Sequence, residues 1–215
     1  MDYYHILNRG VEKRKVFMES GDYLRFVHDL YVFNDENTTP NYVVKKRHAI
    51  DMNSRRPLVY IHAYCLMPNH YHLLLSPAVE NGIPLFIKKL AMGYAKYFNE
   101  KYSRFGSLWQ GKYKKILIKK DAHFFYIPYY IHLNPLDLSM PEWREGKIQN
   151  YKKALEHLSS YRWSSHLDYA GQKNFPSVIY NKILSDILGK PEDYKKQIRE
   201  IISDRDVATQ SMTIE

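Results

Sequence analysis

An α+β fold built on an antiparallel sheet is what this sequence predicts, and three observations carry the prediction. Strand-like and helix-like stretches alternate as strand, helix, strand pair, helix, strand, helix. The strand pair is explicit: Leu58–Leu66 and His70–Ser76 are apolar, aromatic-rich runs on either side of Met67-Pro68-Asn69, where proline and asparagine turn the chain. Beyond Leu136 the pattern changes to helical faces alone. Together these read as a ferredoxin-like sheet with helices over residues 1–138, followed by an α-helical extension over 139–215 that docks on it and ends in a mobile tail after Ser203.

In chain order, Tyr3–Asn8 reads as the first strand, halted by Arg9-Gly10. Gly21-Asp22 offers an N-cap, and Tyr23, Phe26, Val27, Leu30 and Tyr31 recur at helical spacing behind it. From Asn34 to Arg56 the pattern dissolves into polar residues and two basic clusters, Lys45-Lys46-Arg47 and Arg55-Arg56, whose charge suits phosphate contact. After the hairpin, Pro84 opens a helix to Tyr102, with an apolar face of Leu85, Phe86, Leu90, Tyr94 and Phe98. Lys112–Ile118 is the next strand, carrying Lys112, Lys114, Ile116 and Ile118 on one face. Asp121 reads as the cap of a helix to Asn134, which Pro135 stops and Pro128 should kink or restart. In the extension, Tyr151–Leu158, Val178–Leu188 and Asp193–Ile202 have helical faces, and Tyr161–Ser165 a packed loop between the first two.

Composition narrows the function. Lys and Arg total 32 against 23 Asp and Glu, a formal net charge of +9, and 20 tyrosines are interleaved with them, which points to a polyanion and first of all to nucleic acid. The single cysteine, Cys65, excludes an internal disulfide framework and fits a reducing cytoplasm. No stretch resembles a signal peptide or approaches the ~18 apolar residues of a membrane span, so no membrane partner is expected.

His70 and His72 alternate onto one face of their strand, about 7 Å apart, where they could share a metal ion. Ten histidines in this chain supply roughly half such a pair by chance, so the pair needs a context. The helix after Asp121 provides one: Tyr126, Tyr130 and Asn134 form a single row four residues apart. An outward tyrosine beside two metal-binding histidines suits nucleophilic attack on a phosphodiester. A divalent cation, Mg²⁺ or Mn²⁺, held by His70, His72 and an oxygen donor such as Asn134 would polarise the phosphate and leave positions open for substrate. Asn8 and Arg9, at a strand end, add candidate DNA contacts, as do Lys112 and Lys114. His132, two residues from Tyr130, points elsewhere on a regular helix, and Trp163 reads as a core residue.

These stretches also resemble a family. Met67-Pro68-Asn69-His70-Tyr71-His72-Leu73-Leu74 is similar to the HUH motif of single-tyrosine HUH transposases, and Tyr130-Ile131-His132-Leu133-Asn134-Pro135 to their nucleophile helix. Tyr4–Gly10 resembles their opening strand and Gly106–Tyr113 their late strand, while Tyr161-Arg162-Trp163-Ser164-Ser165 resembles the extension of the REP-associated tyrosine transposases. The resemblance implies a catalytic domain that binds single-stranded or hairpin DNA and cuts it to leave a 5′-phosphotyrosine and a free 3′-OH. It implies Tyr130 as nucleophile, His70 and His72 as metal ligands, and Asn134 in the third-ligand place, where the family often carries Gln. The basic insert over 34–56 and Pro128 depart from the pattern. The extension favours a monomer over a homodimer that exchanges helices, and the DNA substrate implies association with the nucleoid. An autonomous insertion-sequence transposase and a non-catalytic DNA-binding regulator on the same fold are the alternatives.

Overall fold

The computed structural model describes residues 1–37 and 55–203. Lys45, Lys46, Arg47 and the tail after Ser203 lie outside the described residues. The elements are β1 (Tyr4–Arg9), α1 (Ser20–Val32), β2 (Val59–Met67), β3 (His70–Pro77), α2 (Gly82–Lys101), β4 (Lys114–Leu117) and α3 (Asp121–Leu133), then α4 (Tyr151–Ser160), α5 (His166–Tyr169), α6 (Lys182–Leu188) and α7 (Pro191–Ser203). The strands form one sheet in the order β2-β3-β1-β4, every neighbouring pair antiparallel. With the element order β1-α1-β2-β3-α2-β4, this is the ferredoxin-like arrangement.

Each face of the sheet carries a layer of helices. On one, Tyr71, Leu73 and Leu75 of β3 meet Phe26, Leu30, Phe86 and Tyr94 of α1 and α2 in a buried cluster. Aromatic rings dominate it: Phe26 lies 5.2 Å from Tyr71 and 4.9 Å from Tyr94, and Tyr71 5.4 Å from Trp109. Each such buried ring removes about 150–250 Å² from water and supplies much of the layer's stability. On the other face, Ala63, Cys65, Met67 and Leu74 pack under α3 and the extension, in a cluster that takes in Trp143, Leu184, Tyr194 and Ile198. Both faces are covered, so β3 is buried along nearly its whole length, which is why its sequence is close to continuously apolar.

A bulge in β2, between Ile61 and Ala63, changes the side-chain parity. Val59 and Ile61 face the α1/α2 layer before it, Tyr64 and Leu66 after it. Without that extra residue the alternation of β2 would send half its apolar side chains to the wrong cluster. The outer edge of β2 is closed by the extension: Leu66 N–H donates to Trp163 O (2.9 Å), Ser165 N–H to Tyr64 O (3.0 Å) and Tyr180 N–H to Ile61 O (2.7 Å).

Several boundaries differ from the expected ones. α1 is capped by Glu19 in a reciprocal box with Asp22, rather than by Gly21-Asp22, because Asp22 reaches back to the Met18 and Glu19 amides (2.8 and 3.2 Å). Asp121 is the first residue of α3 and Lys120 its N-cap. The expected interruption at Pro128 is absent: α3 runs through it as one helix, whose residues from Tyr126 to Leu133 are all buried. The helix expected from Val178 begins only at Lys182, since the preceding residues lie along the β2 edge, where Tyr180 is bonded. α5 has no counterpart in the expected elements. Among the described residues no helix is long and apolar enough to cross a membrane.

Candidate active site

The site is assembled where β1 and β3 lie side by side beneath α3. The turn before His70 is pinned from outside the hairpin. Gly10 N–H donates to Asn69 O (2.8 Å), Val16 and Phe17 N–H both donate to Pro68 O (2.8 and 3.1 Å), and Asn69 Nδ2 to Lys13 O (3.2 Å). Gly10 permits this closeness, because a Cβ there would stand 2.4 Å from the Arg14 carbonyl oxygen. Register then aligns Leu7 with His72, His5 with Leu74 and Arg9 with His70, so that His5, Leu7 and Arg9 share the face of the two β3 histidines.

On that face His70 and His72 meet edge to face with ring centroids 4.9 Å apart, and His72 stacks on His5 at 5.1 Å. His5 Nε2 and His72 Nδ1 share a hydrogen bond of 2.9 Å, and His70 Nδ1 lies 2.6 Å from Asn69 Oδ1. Tyr130 of α3 closes the group, its ring 5.8 Å from His72 and 5.9 Å from His5. His70 and His72 therefore face the tyrosine helix of their own chain, while Tyr71, Leu73 and Leu75 point away into the α1/α2 layer.

Burial, and then the neighbouring His5, His70 and Arg144 side chains, hold the His72 pKa well below its ordinary value, so its imidazole is neutral. Its Nε2 is buried and has no hydrogen-bond partner among the described residues. A neutral ring with one nitrogen oriented by a second histidine and the other unspent is the form in which imidazole binds a metal. His70 and His72 thus fit two places of a divalent-cation site. Asn134 is engaged differently. Its Nδ2 donates to the Tyr130 carbonyl (2.8 Å), and its Oδ1 accepts from Arg144 at 3.4 Å. Among the described residues no group of three or more His, Cys, Asp or Glu side chains is placed to hold a metal.

A cleft of about 850 Å³ opens over these residues, lined by Asn8, Arg9, Lys13, His70, His72, Gln110, Lys112, Lys114 and Arg144, with Asp137 as its one acid. The positive lining is suited to a phosphate backbone. Tyr130 and Asn134 are fully buried beneath it and are touched by Arg144, which lines it. Asn8, Arg9, Lys112 and Lys114 are thus brought to one surface. Arg55 is not among them. It donates to the Tyr31 and Asn34 carbonyls (2.6 and 3.1 Å) and stacks over the Tyr31 ring, which spends its guanidinium on the end of α1. Arg56 is exposed and does not line the cleft.

His132 is committed elsewhere, as its helical position predicts. Its Nε2 is 2.7 Å from Ser165 Oγ and its Nδ1 2.8 Å from Tyr194 Oη, which in turn lies 2.8 Å from His166 Nδ1. This buried chain ties α3 to the extension. Trp163 is half-buried and stacked on Tyr23 at 4.7 Å, a packing role.

His5 and Arg144 are the residues that sequence reasoning missed. His5 had a signal, since alternation puts it on one face with Arg9, but which β3 residues lie opposite depends on register. Arg144 had none, because it lies in a short 3₁₀ turn, Pro141–Glu145, whose position over α3 is set by tertiary packing.

Residues 32–134 match the model of a family described as transposase, IS200 like. Among solved structures, one titled as a REP-associated tyrosine transposase bound to a REP hairpin aligns at 12% identity and a TM-score of 0.46, covering 82% of this chain and 82% of that one. Comparison with curated proteins gives no match.

Proposed function

We propose that this chain, whose residues 32–134 match the IS200-like transposases, cuts and rejoins single-stranded or hairpin DNA through a covalent 5′-phosphotyrosine, with Tyr130 as nucleophile. One observation carries the reading. A tyrosine and two strand-borne histidines of the same chain converge, His72 lying 4.9 Å from His70 and 5.8 Å from Tyr130, ring to ring, under a cleft lined by five cationic side chains, Arg9, Lys13, Lys112, Lys114 and Arg144. A non-catalytic DNA-binding protein would have no use for a neutral imidazole with an unspent buried nitrogen beside a tyrosine, since such an atom costs stability unless something binds it.

The residues divide the work. Arg9, Lys13, Lys112 and Lys114 receive the phosphates and fix the strand's register in the cleft. His70 and His72 would hold a divalent ion, Mg²⁺ or Mn²⁺, with Asn134 as a third donor once its carbonyl turns from Arg144; that ion would draw charge from a non-bridging phosphate oxygen. His5 orients His72 through the bond to its Nδ1. Tyr130 attacks phosphorus. Its phenol proton passes to solvent, the bond from phosphorus to the 3′ oxygen breaks, and the departing 3′ oxygen takes up a proton. The phosphotyrosine conserves the bond energy, so rejoining by a 3′-OH needs no nucleotide cofactor. Because His70, His72 and Tyr130 meet within one chain, a monomer is sufficient for the chemistry.

The test is capture of the intermediate. Full-length protein incubated with labelled hairpin DNA and Mn²⁺ forms a denaturation-resistant protein–DNA adduct, and Tyr130→Phe forms none. Hairpins from the protein's own genome are the substrates to use. Absence of an adduct with the wild type on any of them, or an equal yield from Tyr130→Phe, would refute the catalytic reading.

A further inference from the structure

Arg144 is built into this site from outside the segment that the transposase family model matches, which ends at Asn134. Its turn is nailed down. Trp143 beside it is fully buried and donates its indole N–H to Asp137 Oδ1 at 2.6 Å. Asp137 then grips the guanidinium with both oxygens, Oδ1 from Nε at 2.9 Å and Oδ2 from Nη2 at 2.7 Å. That fork uses one edge of the group. The remaining donors point at the site: Nη1 stands 3.5 Å from the Tyr130 Oη and Nη2 3.4 Å from Asn134 Oδ1, while the guanidinium carbon lies 5.2 Å from the Tyr130 ring centroid. Both contacts are long for N–H···O bonds, so much of this edge's bonding capacity is unspent. The side chain is 22% exposed, and it is the cleft wall through which buried Tyr130 meets the cleft.

An arginine needed only to hold the turn would be satisfied by Asp137. One that is gripped along one edge and aimed at a phenol oxygen with the other is preorganised for negative charge at that oxygen. We propose that Arg144 is a catalytic residue of the strand transfer, stabilising the charge on Tyr130 Oη and the phosphoryl group as the bond forms. This rests on the reading of Tyr130 as nucleophile. As the phenol loses its proton to solvent and Oη bonds to phosphorus, the guanidinium shortens its contact with the attacking oxygen and the non-bridging oxygens. It gains and loses no proton. In the phosphotyrosine it remains bonded to those oxygens, so it serves rejoining as well as cutting. The helical extension, through Arg144, completes the active site.

The experiment separates chemistry from binding. Single-turnover adduct formation on labelled hairpin DNA with Mn²⁺, and the Kd for the same hairpin in EDTA, are measured for wild type, Arg144→Ala and Arg144→Lys. Removal of one such preorganised donor lowers rates by about 100- to 1,000-fold. A loss of that size is expected for Arg144→Ala, with the Kd changed by less than about threefold, since one of several phosphate-facing cations is lost. Arg144→Lys should recover part of the rate, as should guanidinium ion added to Arg144→Ala. Thermal melting identifies any variant that is unfolded, and Arg144→Lys decides the matter if Arg144→Ala is. An Arg144→Ala rate equal to wild type, or a rate loss matched by an equal loss of DNA affinity, overturns the role of Arg144 and leaves Tyr130 standing. A wild type that forms no adduct overturns the underlying reading instead.

Discussion

The two faces of one sheet are built from the same strands and do opposite things. Toward α1 and α2, β3 presents Tyr71, Leu73 and Leu75 to an interior of rings and aliphatic chains, in which the Tyr64 and Tyr71 hydroxyls have no hydrogen-bond partner among the described residues. The carboxylate buried at the start of α1, Asp22, is fully engaged: it is bonded by Lys101, Tyr97 and Tyr102 at 2.6–2.9 Å. Toward α3 and the extension, the same strand presents His70 and His72, and the layer above adds Tyr130, His132, Asn134 and His166; apart from His70 all of these are buried. The lesson is one of cost. A face that buries imidazoles in neutral form, with a nitrogen of His62 and one of His72 lacking a partner among the described residues, gives up stability that apolar packing must supply.

The contrast can be broken by substitution. Phe26→Ala, at the centre of the apolar face, should cost about 3–5 kcal/mol in denaturant unfolding, from lost burial and the cavity left behind. Tyr130→Phe, equally buried, should cost about 1 kcal/mol, because it keeps the ring and surrenders only the hydroxyl, while abolishing the adduct. Equal costs would show that the two faces are not specialised.

Acid should attack one face first. Burial lowers the pKa of His62 and of His166 to about 4, and both lie on the α3 side of the sheet, His62 bonded to Ser76 and His166 to Tyr194. The unfolded chain binds these protons near pH 6.5 and the folded chain only near 4. Their contribution is therefore complete above about pH 6.5 and is lost as the pH falls toward 4, of order 3 kcal/mol for each. His72 and His132, held lower still by burial, have the same sign. Amide exchange between pH 7 and 4 should show α3 and α7 losing protection before α1 and α2. Simultaneous loss would break the comparison.

The smallest effect concerns the cleft rim. Replacing Lys112 and Lys114 by alanine should weaken hairpin binding and reduce the salt slope of log Kd by about one for each phosphate contact removed. An unchanged slope would place the DNA elsewhere on the basic surface.

Much of this was legible in the residues themselves. The hairpin around Met67-Pro68-Asn69, the helical row of Tyr126, Tyr130 and Asn134, and the facing of His70 and His72 follow from local periodicity, and the structure has all three. Local rules failed where a distant group decided the outcome. Asp22 became the third residue of its helix because it answers Lys101, Tyr97 and Tyr102 as well as its own backbone. Pro128 leaves the helix whole because the stretch around it, Tyr126 to Leu133, is buried in the core. Arg55 reads as a phosphate contact by charge alone, yet the open carbonyls at the end of α1 claim it.

By itself, then, the sequence determined the kinds of elements, their order, and the placing of Tyr130 and of the imidazole pair on their elements, because turn chemistry and the periods of strand and helix are properties of neighbours along the chain. Only the tertiary structure decided how that pair is equipped. It set His5 against His72 from 67 residues away and bulged β2 so that two layers could share its side chains. It also swung the Pro141–Glu145 turn over α3 to bring a cation to the tyrosine. Those contacts depend on register and packing between segments remote in sequence, which no local pattern encodes.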